Sequence, residues 1–255
     1  MTLADLAAHA DVARLYPALA QSADEVGTPQ IRNAGTVGGN LNQRPRCWYF
    51  RNEEFACLKK GGAHCFAVGG ENQYHAIFGD GPCHIVHPSS LAVPAVALNA
   101  RFRVVGPAGE REVPAGEYYM MPDRNLFGET TLAPNEILTH VRLPAPGTSK
   151  SATYEVRYKQ SHDWPLATAS VALVMNGQTI RSARIVMGAV APIPWRSAAA
   201  ETALAGKPFS EATAIAAADA AIAGAKPMSL NLYKVQIART AVKRAIMKAG
   251  GMKVV

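Results

Sequence analysis

Between Gln30 and Cys83 the chain carries Gln-Ile-Arg-Asn-Ala-Gly-Thr-Val-Gly-Gly-Asn-Leu-Asn-Gln (30–43) and then every cysteine it has, Cys47, Cys57, Cys65 and Cys83. No other stretch limits the possible folds as strongly. The segment between the cysteines is polar and glycine-rich, with Lys59-Lys60-Gly61-Gly62 and Gly69-Gly70, and it has little periodicity. A loop of about 35 residues without structure of its own is unusual in a compact domain. Four thiolates around a metal centre would supply the missing order, because metal-binding energy becomes folding energy. Four cysteines satisfy both tetrahedral zinc and a 4Fe–4S cluster. Their spacing holds no Cys-x-x-Cys pair, so it does not choose between them; the bland alternative is four unrelated core cysteines. His64, His75, His84 and His87 crowd the same stretch and read as loop histidines, with His64 beside Cys65 the one that could join a mixed site.

Ahead of the cysteines, Thr36-Val37-Gly38-Gly39-Asn40-Leu41 is suited to a phosphate-bearing cofactor. Adjacent glycines permit positive φ and a close backbone approach. Successive N–H groups in such a turn form an anion-binding nest, and Thr36 and Asn40 add side-chain groups. The alternative is a tight turn that binds nothing. The stretch lacks both the strand–GxGxxG–helix context of a dinucleotide fold and the Gly-Lys-Ser/Thr ending of a P-loop.

The 255 residues suffice for one large domain or two small ones with a real core. The net charge of +7 is spread along the chain. It reads as a basic subunit surface, an anionic cofactor or an acidic partner rather than as nucleic-acid binding. No run of about 18 apolar residues exists, which excludes a helical membrane span. Met-Thr-Leu-Ala-Asp lacks the basic start of a signal peptide. The expectation is a cytoplasmic protein, or a periplasmic one exported with a partner subunit. In a reducing compartment its cysteines are thiolates or ligands rather than disulfides.

Helical spacing of Leu3, Leu6, Val12, Leu15 and Leu19 predicts one or two helices over 2–26, with Thr2 as N-cap and Pro17 opening a second segment. A helix is expected over 91–98, then strands over 100–105, 110–113 and 137–143, with a hairpin turn at Gly106-Pro107-Ala108-Gly109. Pro144 to Ser149 is the best internal boundary. Beyond it, strands are expected over 152–159, 167–175 and 179–188, with Asn176-Gly177 as a hairpin turn. Helices over 198–204, 210–223 and 229–249 complete a compact α+β unit. No repeat, catalytic triad or carboxylate pair stands out.

These residues carry a family resemblance. Ile31-Arg32-Asn33 with Thr36-Val37-Gly38-Gly39-Asn40-Leu41 resembles the flavin signature of the medium, FAD-binding subunit of the molybdenum hydroxylases, the family of xanthine dehydrogenase, carbon monoxide dehydrogenase and aldehyde oxidoreductase. Pro88 to Ala100 resembles its following helix motif. Glu136-Ile137-Leu138 and Arg142-Leu143-Pro144 resemble the strand that closes its flavin domain. Tyr158-Lys159 through Asp163-Trp164 to Ala167 resembles the opening of its C-terminal domain. Arg44 to Arg51 with the later cysteines is similar to a bacterial aldehyde oxidoreductase subgroup whose flavin subunit carries an inserted 4Fe–4S loop.

The resemblance implies an α+β chain. Residues 1–145 would form the second half of a PCMH-type FAD-binding domain, with a cluster loop over 44–84. Residues 150–255 would form a three-stranded antiparallel sheet plus helical bundle, like the C-terminal domain of the CO dehydrogenase flavoprotein. It implies an electron-transfer flavoprotein subunit beside a molybdopterin-containing large subunit and a 2Fe–2S small subunit. Arg32, Asn33, Thr36, Val37, Gly38, Gly39 and Asn40 would contact FAD. Ile137 and Leu138 would border its ring, and Lys159 would stabilise its anionic reduced form or simply be solvated. Cys47, Cys57, Cys65 and Cys83 would hold the 4Fe–4S cluster, as a structural staple or in electron transfer. Trp164 reads as core. Two departures stand out. The family's N-terminal FAD subdomain does not precede these motifs, so a non-flavin, cluster-binding assembly module of the same complex is the alternative function. Ser90 stands where the family has an acidic residue.

Overall fold

Thr2 opens the chain's first helix with a reciprocal cap. Its hydroxyl accepts the Asp5 N–H at 3.1 Å, and the Asp5 carboxylate accepts the Thr2 N–H at the same distance, which satisfies two otherwise orphaned donors. Three short helices follow where one or two are expected: α1 (Leu3–Ala8), α2 (Ala10–Leu15) and α3 (Pro17–Asp24). His9 takes an extended conformation between the first two. Pro17 has no N–H to continue a helix and instead fits the first position of α3. The structure, a computed structural model, describes residues 1–145, 147–159 and 162–254. Pro146 in the expected linker and residues 160, 161 and 255 of the expected second domain lie outside the described residues.

Thr28 caps α4 (Pro29–Ala34) and Thr36 caps α5 (Val37–Leu41). The cysteine segment then contributes one helical turn, α6 (Trp48–Arg51), and a 3₁₀ turn at Leu58–Lys60. After it come α7 (Ala92–Ala97), β1 (Arg101–Gly106), β2 (Gly109–Pro114), α8 (Ala115–Tyr118) and β3 (Ile137–Arg142). The three strands form an antiparallel sheet in the order β2-β1-β3. Its inner face and the helices bury Leu3, Leu6, Leu91, Phe102, Val104 and Tyr118 in one core.

The second sheet is antiparallel, in the order β4 (Ser149–Val156), β5 (Ala167–Asn176), β6 (Thr179–Gly188) and β7 (Trp195–Arg196). The two-residue β7 extends the three expected strands. β4 lies about one helical-turn's worth of sequence earlier than the expected 152–159, because its start is polar. Ser151 and Thr153 are buried and face α3: Ala18 N–H donates to Ser151 Oγ at 3.3 Å, and Ser22 Oγ to Thr153 Oγ1 at 3.1 Å. A strand whose hidden side chains are hydroxyls leaves no apolar alternation to read. α9 (Ala198–Leu204), α10 (Glu211–Ile222) and α11 (Tyr233–Ala249) cover this sheet. Val171, Leu173 and Ile185 meet Ala217, Ala241 and Val242 in the largest core, where small side chains let helix and sheet approach closely. α7 packs so tightly on the same sheet that a Cβ on Gly188 would collide with Val93 and Thr168.

Candidate cofactor site

The glycine turn adopts a helical rather than a nest-like conformation. Neither Gly38 nor Gly39 has positive φ, because Thr36 caps the turn: its Oγ1 accepts the Gly39 N–H at 3.0 Å and its carbonyl the Asn40 N–H at 2.9 Å. The Val37 N–H donates to Met1 O at 3.2 Å. Among the described residues this leaves the Gly38 N–H without a partner. A Cβ at Gly38 would meet nothing nearer than the Leu138 carbonyl at 3.8 Å. The chain's own packing therefore does not require glycine there, and the open face beside β3 is room for a ligand. Asn40 is buried at the far end of the turn, where its Oδ1 accepts from Ser89 Oγ at 2.8 Å and from Leu91 N–H at 3.2 Å.

Ser89 and Ser90 belong to a cavity of about 370 Å³ whose other walls carry Trp48, Tyr74, Tyr158 and Trp164. Trp164 is 50% exposed at its mouth, not core as its sequence context predicts, and the Arg46 guanidinium lies 4.7 Å over its ring. Trp48 meets Tyr74 edge-on at 5.6 Å. Such walls suit a flat aromatic ligand, through stacking and edge contacts. His87 lines the floor. Its Nδ1 accepts the Ser89 N–H at 3.3 Å, its Nε2 has no partner among the described residues, and burial lowers its pKa to about 3.

The four cysteines converge. Cys47, Cys57, Cys65 and Cys83 line one small cavity, together with Phe66 and Ile85. Cys65 and Cys83 share a hydrogen bond, which draws Cys65 below the ordinary thiol range and pushes Cys83 above it. Burial raises Cys47. With that pair closed, the free space is only about 10 Å³, room for a water. Among the described residues no three His, Cys, Asp or Glu side chains are placed to hold a single metal ion. A mononuclear zinc site needs all its sulfurs at about 2.3 Å from one point; in a cluster the thiolates bind different iron atoms and stand farther apart. Backbone groups near the sulfurs favour their thiolates: Phe50 and Tyr49 at Cys47, His84 and Ala67 at Cys65, and Ile85 at Cys83. Four soft sulfur donors on one cavity, with no oxygen ligand among its lining residues, fit an iron–sulfur cluster.

Cys47 and His75 line both cavities, so one wall separates the sulfurs from the aromatic chamber. His75 Nε2 lies 3.3 Å from Cys47 Sγ, and burial lowers the His75 pKa to about 4. The spacing pattern carried no sign of this contact, since 28 residues separate the two. The loop is anchored on both sides. Lys59, 1% exposed, pairs with Glu129 at 2.8 Å and donates to Leu126 O. Lys234 of α11, equally buried, donates to the carbonyls of Tyr74, His75 and Ala189 at 3.2, 3.0 and 2.6 Å.

The other residues singled out by the sequence fall as follows. Ile137 is exposed and Leu138 half-buried beside the glycine turn. Val37 packs its side chain toward the first core. Arg32 donates to the Val26 and Gly27 carbonyls at 3.2 and 3.1 Å, which commits its guanidinium to the turn between α3 and α4, and Asn33 is exposed on α4. Lys159 lines a separate groove with Glu25 and Arg244 and is not brought to α5.

With this geometry in place, family comparison gives a direct answer. Residues 1–146 match the family described as the FAD binding domain in molybdopterin dehydrogenase, and residues 152–249 match the CO dehydrogenase flavoprotein C-terminal domain. The chain belongs to the FAD-binding subunits of the molybdenum hydroxylases. It is 32% identical over 248 residues to the aldehyde oxidoreductase FAD-binding subunit PaoB of Escherichia coli K12, covering 96% of this chain and 75% of that one. It is 29% identical to the carbon monoxide dehydrogenase medium chain of Hydrogenophaga pseudoflava, covering 95% and 70%. A solved carbon monoxide dehydrogenase from Hydrogenophaga pseudoflava, lacking the Mo-pyranopterin moiety of its molybdenum cofactor, superposes with a TM-score of 0.73 at 28% identity, over 98% of this chain and 72% of that one. Quinoline 2-oxidoreductase from Pseudomonas putida 86 shares the fold, with a TM-score of 0.72. Among the described residues no helix is long and apolar enough to cross a membrane.

Proposed function

We propose that this chain is the electron-transfer flavoprotein subunit of a molybdenum-containing aldehyde oxidoreductase and that it carries a 4Fe–4S cluster beside its FAD. It would work between a molybdopterin-containing large subunit with a 2Fe–2S small subunit and an external acceptor, in the cytoplasm, where free thiols persist. Its FAD-binding part spans 1–145 and its second domain 150–255. The observation that carries the reading is the shared wall: Cys47 and His75 belong to both the sulfur-lined cavity and the aromatic chamber. That chamber joins the glycine turn through the Asn40–Ser89 hydrogen bond. The match to PaoB, a subunit of an aldehyde oxidoreductase, supports the substrate class.

FAD, when bound, accepts a pair of electrons and can release them singly; the protein supplies position and electrostatics. Thr36 holds the turn so that Gly38 presents an open backbone beside Leu138. Asn40 fixes the turn against Ser89 and Leu91. Trp48, Tyr74, Tyr158 and Trp164 offer stacking and edge contacts to the ring. The four cysteines hold the cluster, in a loop that Lys59 ties to Glu129.

A pair of variants separates the two seats. Gly38→Val places its Cβ on the open face, 3.8 Å from the Leu138 carbonyl, so the flavin content should fall while iron is retained. Cys57→Ser should do the reverse: the broad iron–sulfur absorption disappears and flavin remains. Unchanged iron in Cys57→Ser rejects the cluster, and unchanged flavin in Gly38→Val rejects the turn as cofactor seat.

A further inference from the structure

We infer that His75 donates its Nε2–H to Cys47 Sγ and so sets the reduction potential of the centre held by the four cysteines. The inference rests on the cluster reading above. Its geometric basis is the 3.3 Å contact between Nε2 and Sγ. A ligating thiolate can only accept a hydrogen bond, so the nitrogen that faces it carries the proton, whatever the charge of the ring. The opposite nitrogen, Nδ1, is buried and has no partner among the described residues. Nothing there competes for the tautomer.

The ring is held in place from several directions. It packs edge-on against Trp48 at 5.8 Å and tilted against Tyr49 at 6.2 Å. The His75 backbone N–H donates to Asn72 O at 2.9 Å. Its carbonyl accepts from Lys234 Nζ at 3.0 Å and from Asn231 Nδ2 at 3.2 Å. Both of those donors come from the C-terminal domain, and both are buried. Lys234 of α11 and Asn231, two residues ahead of that helix, therefore fix where the imidazole stands relative to the sulfur. His64, next to Cys65 in sequence, is exposed and has no comparable anchoring. Hydrogen bonds to the sulfurs are among the factors that set cluster potentials. Backbone groups favour the thiolates of Cys65 and Cys83, and no side-chain substitution removes those. Cys47 is the sulfur that faces a donor from a residue other than the four cysteines, among the described contacts. When one electron enters the cluster, negative charge builds up on its sulfurs and the N–H···S bond strengthens. No bond breaks and the proton stays on Nε2. The bond favours the reduced state, and its loss makes the centre harder to reduce.

The test is a potentiometric titration of the full chain with its partner subunits, in the wild type, His75→Phe and His75→Gln, with iron measured in each. Phenylalanine keeps a ring against Trp48 and Tyr49 but removes the donor, and glutamine restores an N–H. We expect full iron in all three. The His75→Phe midpoint should move to more negative potential by up to roughly tenfold in the reduction equilibrium, ~59 mV for one electron, and His75→Gln should return part of the shift. An unmoved midpoint in His75→Phe, with iron retained, overturns the inference alone. Equal shifts in both variants overturn it too, since the N–H would not be the cause. Iron lost from both variants overturns it in favour of a structural role. A wild type that holds no iron overturns the cluster reading itself.

Discussion

From Ala167 to Gly188 the second sheet runs through two ten-residue strands that bury their apolar side chains under three helices. From Arg44 to Cys83 there is one turn of α-helix, one 3₁₀ turn, and a core whose buried members are Tyr49, Cys57 and Ala67. The first region holds its shape by area removed from water, at about 25 cal/mol per Å². The second has too little such area and relies on point attachments: Lys59 to Glu129, Lys234 to three carbonyls, Asn72 to Ser229, and the sulfurs gathered around one cavity. A local collapse in the sheet domain is a matter of packing; a local collapse in the loop is a matter of ligands and hydrogen bonds.

Substitutions should separate the two regimes. Leu173→Ala opens a hole in the buried core of the sheet domain and should cost about 2–5 kcal/mol in denaturant unfolding, with iron per folded chain unchanged. If iron falls in proportion, the regions are not independent. A second probe sits at the boundary, on His87, whose ring is packed edge-on by Tyr119 at 4.6 Å. Burial lowers its pKa from 6.5 to about 3. The folded form resists a proton that the unfolded form takes up below about 6.5. This group's contribution is therefore complete above pH 6.5 and is lost as pH falls toward 3, by about 1.4 kcal/mol per unit. His87→Phe should flatten that part of the stability–pH curve; identical slopes would show that the ring is not the sensor.

Lys234→Met tests the tie itself. It orphans carbonyls of Tyr74 and Ala189 and weakens the hold on His75, a loss of about 1–3 kcal/mol. The expected readout is faster proteolytic cleavage within 44–87 with the sheet domain's unfolding midpoint nearly unchanged. A lowered midpoint with an unaltered cleavage rate would reverse the assignment. Smallest is Thr36→Ala, which removes the cap of the glycine turn for about 0.5–2 kcal/mol and should reduce flavin retention, read by absorbance after dialysis, without touching iron.

What could be read beforehand follows the same division. Asn176-Gly177 between apolar runs marks the β5–β6 hairpin, and Ser210 marks the start of α10 through its hydroxyl cap to Thr213. These signals are local in sequence and local in space. The start of β4 escaped because its inward residues, Ser151 and Thr153, are polar and serve a seam with α3 rather than a core. Trp164 escaped because aromatic residues mark cores more often than cavity rims, and only the fold reveals Arg46 stacked over it at the chamber's mouth. In the site, clustering of four cysteines in sequence was visible. Their common cavity with His75, and the attachment of that cavity to α11 through Lys234, depend on partners up to about 160 positions apart, which no periodicity encodes.

Two adjoining cofactor seats on one chain is the claim on which the rest depends. It is tested most directly by assaying iron, acid-labile sulfide and flavin on a single preparation of the protein. The account predicts roughly four iron and four sulfide per chain, with flavin in the same sample. Zinc without sulfide, or iron and flavin each absent from chains that are folded, would contradict it.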